Sequence, residues 1–501
     1  MKITLLYPEF PDSFWSLKGS VKSISKKANC PPLGLLTVAG MLPPDWELKL
    51  IDLNVTSVTD EDIESADWVF ISAMTIQKES VARLVDRCKE SNTGIVAGGP
   101  LFTIYYDEYD DIDCVVLGEA ESIISSLIAD LESGSVRHIY KSEEFLPLSQ
   151  TPVPSWSLIN TDDYMTLAIQ CGRGCPFNCE FCDIAVLSGD RHRIKPADNV
   201  TSELEAIYNT GWRGGIFVVD DNFIGNKGYV KNELLPAIKE WSDRKNFCFW
   251  YNTQTSINLA DDEELMNQMY DVGFCQVFVG IESVDEDSLI ECGKTINLNR
   301  DLLNSVRTLQ NHGLEVQCGL IVGFDSDSAS VFQNQIDFVQ SSGIITVNVS
   351  LLAVQKGTRL YERIKAENRL IKEWTGDSTD GSLNFITKMD PSTLMNGYKY
   401  VINTIYSPEY LYARMAIFLN EYKLQIYAGP RKGGARIADI LRTLKRMLNI
   451  ISVLGIQNDG RIGFWKMMLR TITKWPGSLP VMLNLSMIGL HLRRWARKIS
   501  A

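Results

Sequence analysis

Short apolar runs alternate with amphipathic stretches along the first three-quarters of the chain. Over residues 1–139 this pattern predicts strands at Lys2–Tyr7, Trp46–Asp52, Trp68–Ser72, Gly94–Ala97 and Asp113–Leu117. Helical periodicity falls around Leu33–Leu42 and Glu79–Lys89, and again after Glu119. Continuous apolar strands separated by helices imply a parallel sheet covered on both faces, hence a doubly wound α/β domain. Residues 140–160 carry Pro147, Pro152 and Pro154 in a polar setting and read as an ordered linker. The alternation resumes over 161–379, with strands at Met165–Cys171, Gly215–Val219, Cys248–Asn252, Gln276–Ile281, Glu315–Ile321 and Ile345–Leu351. Helical stretches such as Ala197–Thr210, Glu263–Val272 and Leu302–His312 lie between them. Six such units predict a partial (β/α)6 barrel with its functional groups at the carboxyl ends of the strands. Residues 380–501 read as a helical C-terminal domain with a basic amphipathic tail.

At 501 residues, 45% hydrophobic and 22% charged, the chain has the composition of a folded protein with room for about two to four domains. Met1–Pro8 reads as a strand stopped by proline rather than as a signal peptide. No apolar run reaches the roughly 18 residues that a spanning helix needs. Eleven cysteines, an odd number, imply reduced thiols and a cytosolic address. The net charge of −13 is unevenly divided: residues 429–501 hold 14 Lys and Arg against two acids, +12, which leaves −25 for the rest. That split predicts a C-terminal face meeting an anionic surface, with no nucleic-acid partner. Ile440, Leu441, Leu444, Met447 and Leu448 run beside Arg442, Lys445 and Arg446, followed by Phe464-Trp465, Trp475 and Leu479–Leu492 with Arg493, Arg494 and Trp495 behind. Such helices either lie peripherally in a membrane interface or cap the barrel with their basic residues in water.

The densest chemistry is in Cys171–Asp183, where Cys175, Cys179 and Cys182 are separated by three and then two residues. A short loop with this spacing turns three sulfurs toward one point, and thiolates suit iron–sulfur clusters or zinc. For zinc, Cys171 would be the fourth ligand. The spacing, with Phe181 as the aromatic before the last cysteine, resembles the motif of the radical S-adenosylmethionine enzymes. The resemblance implies a 4Fe–4S cluster on Cys175, Cys179 and Cys182 whose open iron binds S-adenosylmethionine, with Phe181 near the adenine. It implies reductive cleavage to a 5′-deoxyadenosyl radical, fed by a reducing partner such as a ferredoxin or flavodoxin. Polar groups follow the later strands: Asp220-Asp221-Asn222, Asn252-Thr253-Gln254-Thr255, Glu282-Ser283 and Gly323-Phe324-Asp325. Of these, Asp220, Asn252, Gln254 and Glu282 are the candidates to bind S-adenosylmethionine. The basic run Arg191–Lys195 either reaches a carboxylate or phosphate or forms a solvated face.

The N-terminal strand ends carry Ser72-Ala73-Met74 and Gly98-Gly99-Pro100. With Pro31–Leu35 and Gly118–Glu121, they resemble the cobalamin-binding domain that precedes many radical S-adenosylmethionine cores. The resemblance places Ser72, Gly98 and Gly99 at cobalamin; a flavodoxin-like domain with another ligand, or none, is the alternative. No histidine occurs before His138, so a bound cobalamin would lack a histidine lower ligand. Leu383–Asp390, Tyr406–Tyr410 and Asp220–Phe223 resemble the cobalamin-dependent subgroup that includes hopanoid methylases and archaeal tetraether ring synthases. Gln355-Lys356 stands where that subgroup has Leu-Pro before Gly-Thr. The subgroup implies methylation of an unactivated carbon of a lipid-like substrate, with cobalamin supplying the methyl group and two molecules of S-adenosylmethionine consumed. Ring closure without methyl transfer is the rival enzymatic reading, and a metal-stabilised binding protein without turnover is the non-enzymatic one.

Overall fold

The computed structural model describes residues 1–16, 21, 25–142, 144–189, 191–424 and 450–500. The N-terminal sheet contains β1 (Lys2–Tyr7), β2 (Glu47–Asp52), β3 (Trp68–Ser72), β4 (Gly94–Gly98), β5 (Cys114–Leu117) and β6 (Ile139–Lys141). Their order is β2-β1-β3-β4-β5-β6, parallel throughout. Alternate residues of β3 feed separate cores: Val69 and Ile71 pack with Val81, Leu84 and Ile95, whereas Phe70 packs with Ile3, Leu35 and Val96. Helix Lys78–Glu90 covers the first face with Val81, Leu84, Val85 and Cys88 at helical spacing. Strand order reverses between β1 and β3, so a crevice opens there beyond the carboxyl ends. The periodicity did not predict β6. Only Tyr140 of its three residues is buried, so it lacks an apolar run, yet it pairs with β5 and draws Tyr140 and Lys141 of the expected linker into the sheet.

The second six-stranded sheet begins with β7 (Thr166–Ile169). A small antiparallel pair follows, β8 (Gly172–Arg173) with β9 (Arg193–Ile194). The sheet continues with β10 (Gly215–Val218), β11 (Trp250–Thr255), β12 (Phe274–Glu282), β13 (Glu315–Val322) and β14 (Val347–Leu351). All its pairings are parallel, in the order β14-β13-β12-β11-β10-β7, and among the described residues β7 and β14 are not joined. This is the expected partial barrel. β11 runs on to Thr255, past the expected end at Asn252. Tyr251, Thr253 and Thr255 are buried while Asn252 and Gln254 on the alternate face are partly open, so a polar inner face concealed the strand from a hydrophobicity reading. The outer helices are pinned at their ends: Asp262 accepts from Leu265 N–H at 3.0 Å and Asp301 from Asn304 N–H at 2.9 Å. Each such cap contributes about 1 kcal/mol.

Helices Pro391–Ile405, Pro408–Glu421, Arg461–Lys474 and Leu479–Ser500 form the C-terminal region. Leu411, Met415, Phe418, Phe464, Met467, Met482 and Leu485 are its core. Arg414 is fully buried and donates to the carbonyls of Ile405 at 2.9 Å and Ile345 at 3.4 Å, tying this bundle to the approach to β14. Burial disfavours its charge and brings its pKa down to about 10. The expected amphipathic segment Ile440–Leu448 lies outside the described residues. Farther on, Arg493 is buried rather than solvated, pairing with Asp459 at 2.9 Å.

Candidate active site

The carboxyl ends of the two sheets face one cavity of about 820 Å³. On the barrel side, Cys175, Cys179 and Cys182 all line it, on a loop held from several directions. Gly174 has φ +84, and a Cβ there would lie 2.5 Å from the Arg191 carbonyl oxygen, so only glycine permits the turn. Its N–H donates to Asp221 Oδ2 at 2.8 Å. Helix Arg359–Ala366 grips the same loop. Leu360 N–H donates to the Glu180 carbonyl at 3.0 Å, and Arg363 donates to both oxygens of the Glu180 carboxylate, at 2.7 and 3.0 Å. Gln355 Nε2 donates to Asp183 Oδ2 at 2.8 Å. The residue that departs from the subgroup's Leu-Pro therefore braces the cysteine loop.

Burial pushes all three thiols up, and the Lys294 ammonium opposes it. Burial would likewise strip charge from Lys294, but Glu282, at 2.9 Å, and Cys179 outweigh it and hold the lysine's pKa above its usual value. Glu282 sits at an irregularity in the β12–β13 register with φ +63, an uncommon conformation for a residue with a side chain. A Cβ on Gly280 would lie 2.1 Å from Glu282 Oε1, so the pair forms only against a glycine. Three thiols facing a buried cation suit a group that needs them deprotonated. Among the described residues no three His, Cys, Asp or Glu side chains are arranged to hold a single metal ion. Cys171, the fourth ligand that zinc would need, is packed in the barrel core and points away from the others' cavity.

The N-terminal wall is built differently. Ser72 and Gly98 are register partners at the ends of β3 and β4. Gly99 has φ +93 and ψ −178, a region accessible essentially only to glycine, and a Cβ there would meet Ser72 Oγ at 2.8 Å. Around them the wall is apolar, with Leu35, Val38, Phe70, Val96, Ile124 and Leu127. No histidine lines the cavity. The two walls are latched by charge. Glu121 accepts from Arg173 at 2.6 Å, and Glu119 pairs with Arg173 at 3.1 Å and with Arg193. All of these groups are largely shielded from water.

Residues 21–128 match the family described as a B12 binding domain, residues 169–339 the radical SAM superfamily, and residues 358–501 a domain of unknown function, DUF4070. An uncharacterized methyltransferase of Synechocystis sp. is 36% identical over 93% of this chain and 86% of its own length. Hopanoid C-2 methylase of Rhodopseudomonas palustris is 30% identical over 100% of this chain and 94% of that protein. The chain belongs to the cobalamin-dependent radical S-adenosylmethionine methyltransferases. In fold it is similar to the cobalamin-dependent S-adenosylmethionine radical enzyme OxsB solved with aqua-cobalamin (TM-score 0.62, 14% identity, 100% of this chain and 80% of that one). It is also similar to the methyltransferase TsrM from Kitasatospora setae solved with cobalamin and a [4Fe-4S] cluster (TM-score 0.59, 13% identity, 74% and 79%). Cobalamin, a 4Fe–4S cluster and S-adenosylmethionine are the cofactors of this methyltransferase.

Within the methyltransferase the cavity gathers most of the expected residues but not all. Ser72, Gly98, Gly99, Cys175, Cys179, Phe181, Cys182, Gln254 and Glu282 line it. Asp220 does not. Its buried carboxylate accepts from Cys171 N–H at 2.7 Å and closes the end of β7 from behind, while Asp221 and Asn222 take the cavity side. Asn252 shares Gln254's strand face but lies two residues, about 7 Å, deeper in the barrel. The basic run is split: Arg191 is exposed, and Lys195 reaches the cavity wall. Arg193 belongs to the latch, Lys195 is buried against Glu203 at 2.5 Å, and His192 is packed against Gly172 and Gly225. Residue patterns did not single out Lys294. It follows a helix after β12, outside the expected strand ends, and is recognisable only by what it faces.

Proposed function

We propose that this methyltransferase methylates an unactivated carbon of a lipid-like substrate. In this reading Cys175, Cys179 and Cys182 hold the cluster, Phe181, Gln254 and Glu282 contact S-adenosylmethionine, and Ser72, Gly98 and Gly99 receive cobalamin. When bound, the three groups supply radical hydrogen abstraction and methyl transfer. The observation that carries the reading is the single cavity shared by the thiol wall and the glycine-opened wall. Lys294 offsets the negative charge of the thiolates, and the latch of Glu119 and Glu121 with Arg173 and Arg193 fixes the separation of the walls. The name of the relative that acts on a hopanoid supports the lipid-like substrate class. A low-potential donor such as a ferredoxin or flavodoxin completes the system.

The test is anaerobic reconstitution with cluster, hydroxocobalamin, S-adenosylmethionine and a reductant, followed by addition of lipids extracted from cells lacking the gene. The expected result is 5′-deoxyadenosine together with a lipid one methyl group heavier. Deoxyadenosine with a product lighter by a pair of hydrogens would replace methylation with ring closure. No deoxyadenosine at all would sink the enzymatic reading.

A further inference from the structure

Helix Arg461–Lys474 has two apolar faces, and the C-terminal core uses only one. Phe464, Met467 and Thr471 are buried in the bundle. On the other side Ile462, Trp465, Leu469 and Ile472 are 67%, 46%, 66% and 49% exposed. Their spacing of three, four and three residues puts them on one face. Ile456, 65% exposed, extends the patch beside Trp465, whose indole N–H is fixed on the Gly455 carbonyl at 3.0 Å. Lys466, Arg470 and Lys474, four residues apart, run along one edge, and Arg461 stands on the other. No described acid pairs with any of the four. Asp459 is taken by Arg493 and Arg497, and Glu409 lines the same surface cavity as Lys466 and Arg470 but forms an ion pair with neither.

We propose that this face docks the protein on an anionic lipid bilayer, with Ile462, Trp465, Leu469 and Ile472 entering the acyl boundary and the basic edge contacting headgroups. An exposed apolar row beside cations that no described acid pairs, with Arg470 resting 5.4 Å from the centre of the Trp475 ring, has the composition of an interfacial helix. Among the described residues no helix is long and apolar enough to cross a membrane, so the contact is peripheral. A second copy of the chain is a poorer occupant. A stable protein interface takes about 800 Å² from each partner. A single row on a helix of 14 residues, about 21 Å long, supplies only part of that. The proposal goes beyond the assignment of a lipid-like substrate and does not rest on it, because vesicle binding is read without turnover.

The experiment is flotation of the holoenzyme with vesicles of equal parts phosphatidylglycerol and phosphatidylcholine, and with phosphatidylcholine alone, at low and high salt. The expected result is flotation with the anionic vesicles at low salt, lost at high salt and absent with neutral ones. Lys466→Glu/Arg470→Glu/Lys474→Glu should weaken anionic binding by on the order of 100-fold. Leu469→Ser/Ile472→Ser should abolish flotation while leaving thermal melting and corrinoid content unchanged, since both side chains face water. Wild-type protein that ignores both vesicle types, or variants that float as it does, would overturn the proposal. Light scattering that shows a dimer dissociated by the serine variant would instead assign the face to a second copy.

Discussion

The two walls of the cavity solve opposite physical problems. The barrel wall concentrates charge, with three thiols, Glu282 and Lys294 held together where water is scarce. Every such group must be paired, because an isolated buried charge costs several kcal/mol. The N-terminal wall removes side chains instead: Gly98 and Gly99 leave room beside Ser72, and the surroundings are apolar. In the proposed reading one wall would hold its cofactors by coordination and charge, the other by shape. Damage to each should therefore have a different signature, joined only through the latch between Glu119, Glu121, Arg173 and Arg193.

The largest effect is expected at the thiols. Cys179→Ala should abolish 5′-deoxyadenosine formation and the 4Fe–4S spectrum, whereas Cys171→Ala should keep both and cost about 1 kcal/mol of stability from the core. Iron content and electron paramagnetic resonance read the first, and urea unfolding the second. A cluster lost in Cys171→Ala would reassign that residue to the site. Next comes Lys294→Met, which leaves Glu282 buried without its partner. A loss of about 3–5 kcal/mol in urea unfolding is expected, with reduced iron loading and unaltered corrinoid content. Corrinoid lost in parallel would mean that the walls are not independent.

Gly99→Val is the mirror image. Forcing a side chain into that conformation costs about 1–3 kcal/mol and should lower corrinoid retention while leaving the cluster spectrum intact. Retention equal to wild type would break the shape-based account of this wall. The smallest effect on cofactor content is expected at Asp220. Burial, opposed by hydrogen bonds from the Cys171 and Gly172 amides, pushes its pKa up from 3.8 to about 7. A carboxyl raised in the folded state adds stability that is complete below its unfolded pKa and is lost as pH rises through the folded one. Its contribution should thus fade between about pH 4 and about pH 7, with a slope of at most about 1.4 kcal/mol per pH unit. Asp220→Asn, neutral throughout, should flatten the difference in urea midpoint across that range. A variant whose pH dependence matches wild type would remove Asp220 as a titrating group.

Local chemistry determined which segments become strands and helices, and which loop carries the thiols. Apolar runs such as Val69–Ile71 have one stable use, and three cysteines at that spacing have few. The paired glycines at 98 and 99 were legible because a missing side chain is a local property. Local pattern failed where an element's environment inverts the usual rule. The polar inner face of β11 is hidden from a hydrophobicity reading, and β6 is held in its sheet by backbone pairing with β5 rather than by apolar content. Which of two adjacent carboxylates, Asp220 or Asp221, faces the cavity was decided by the hydrogen bond from Cys171 that turns the first inward. Lys294, the latch and the brace from Gln355 came only with tertiary structure. A charge acts through space, and the residues that give these groups their meaning lie 12 to 172 positions away in the chain.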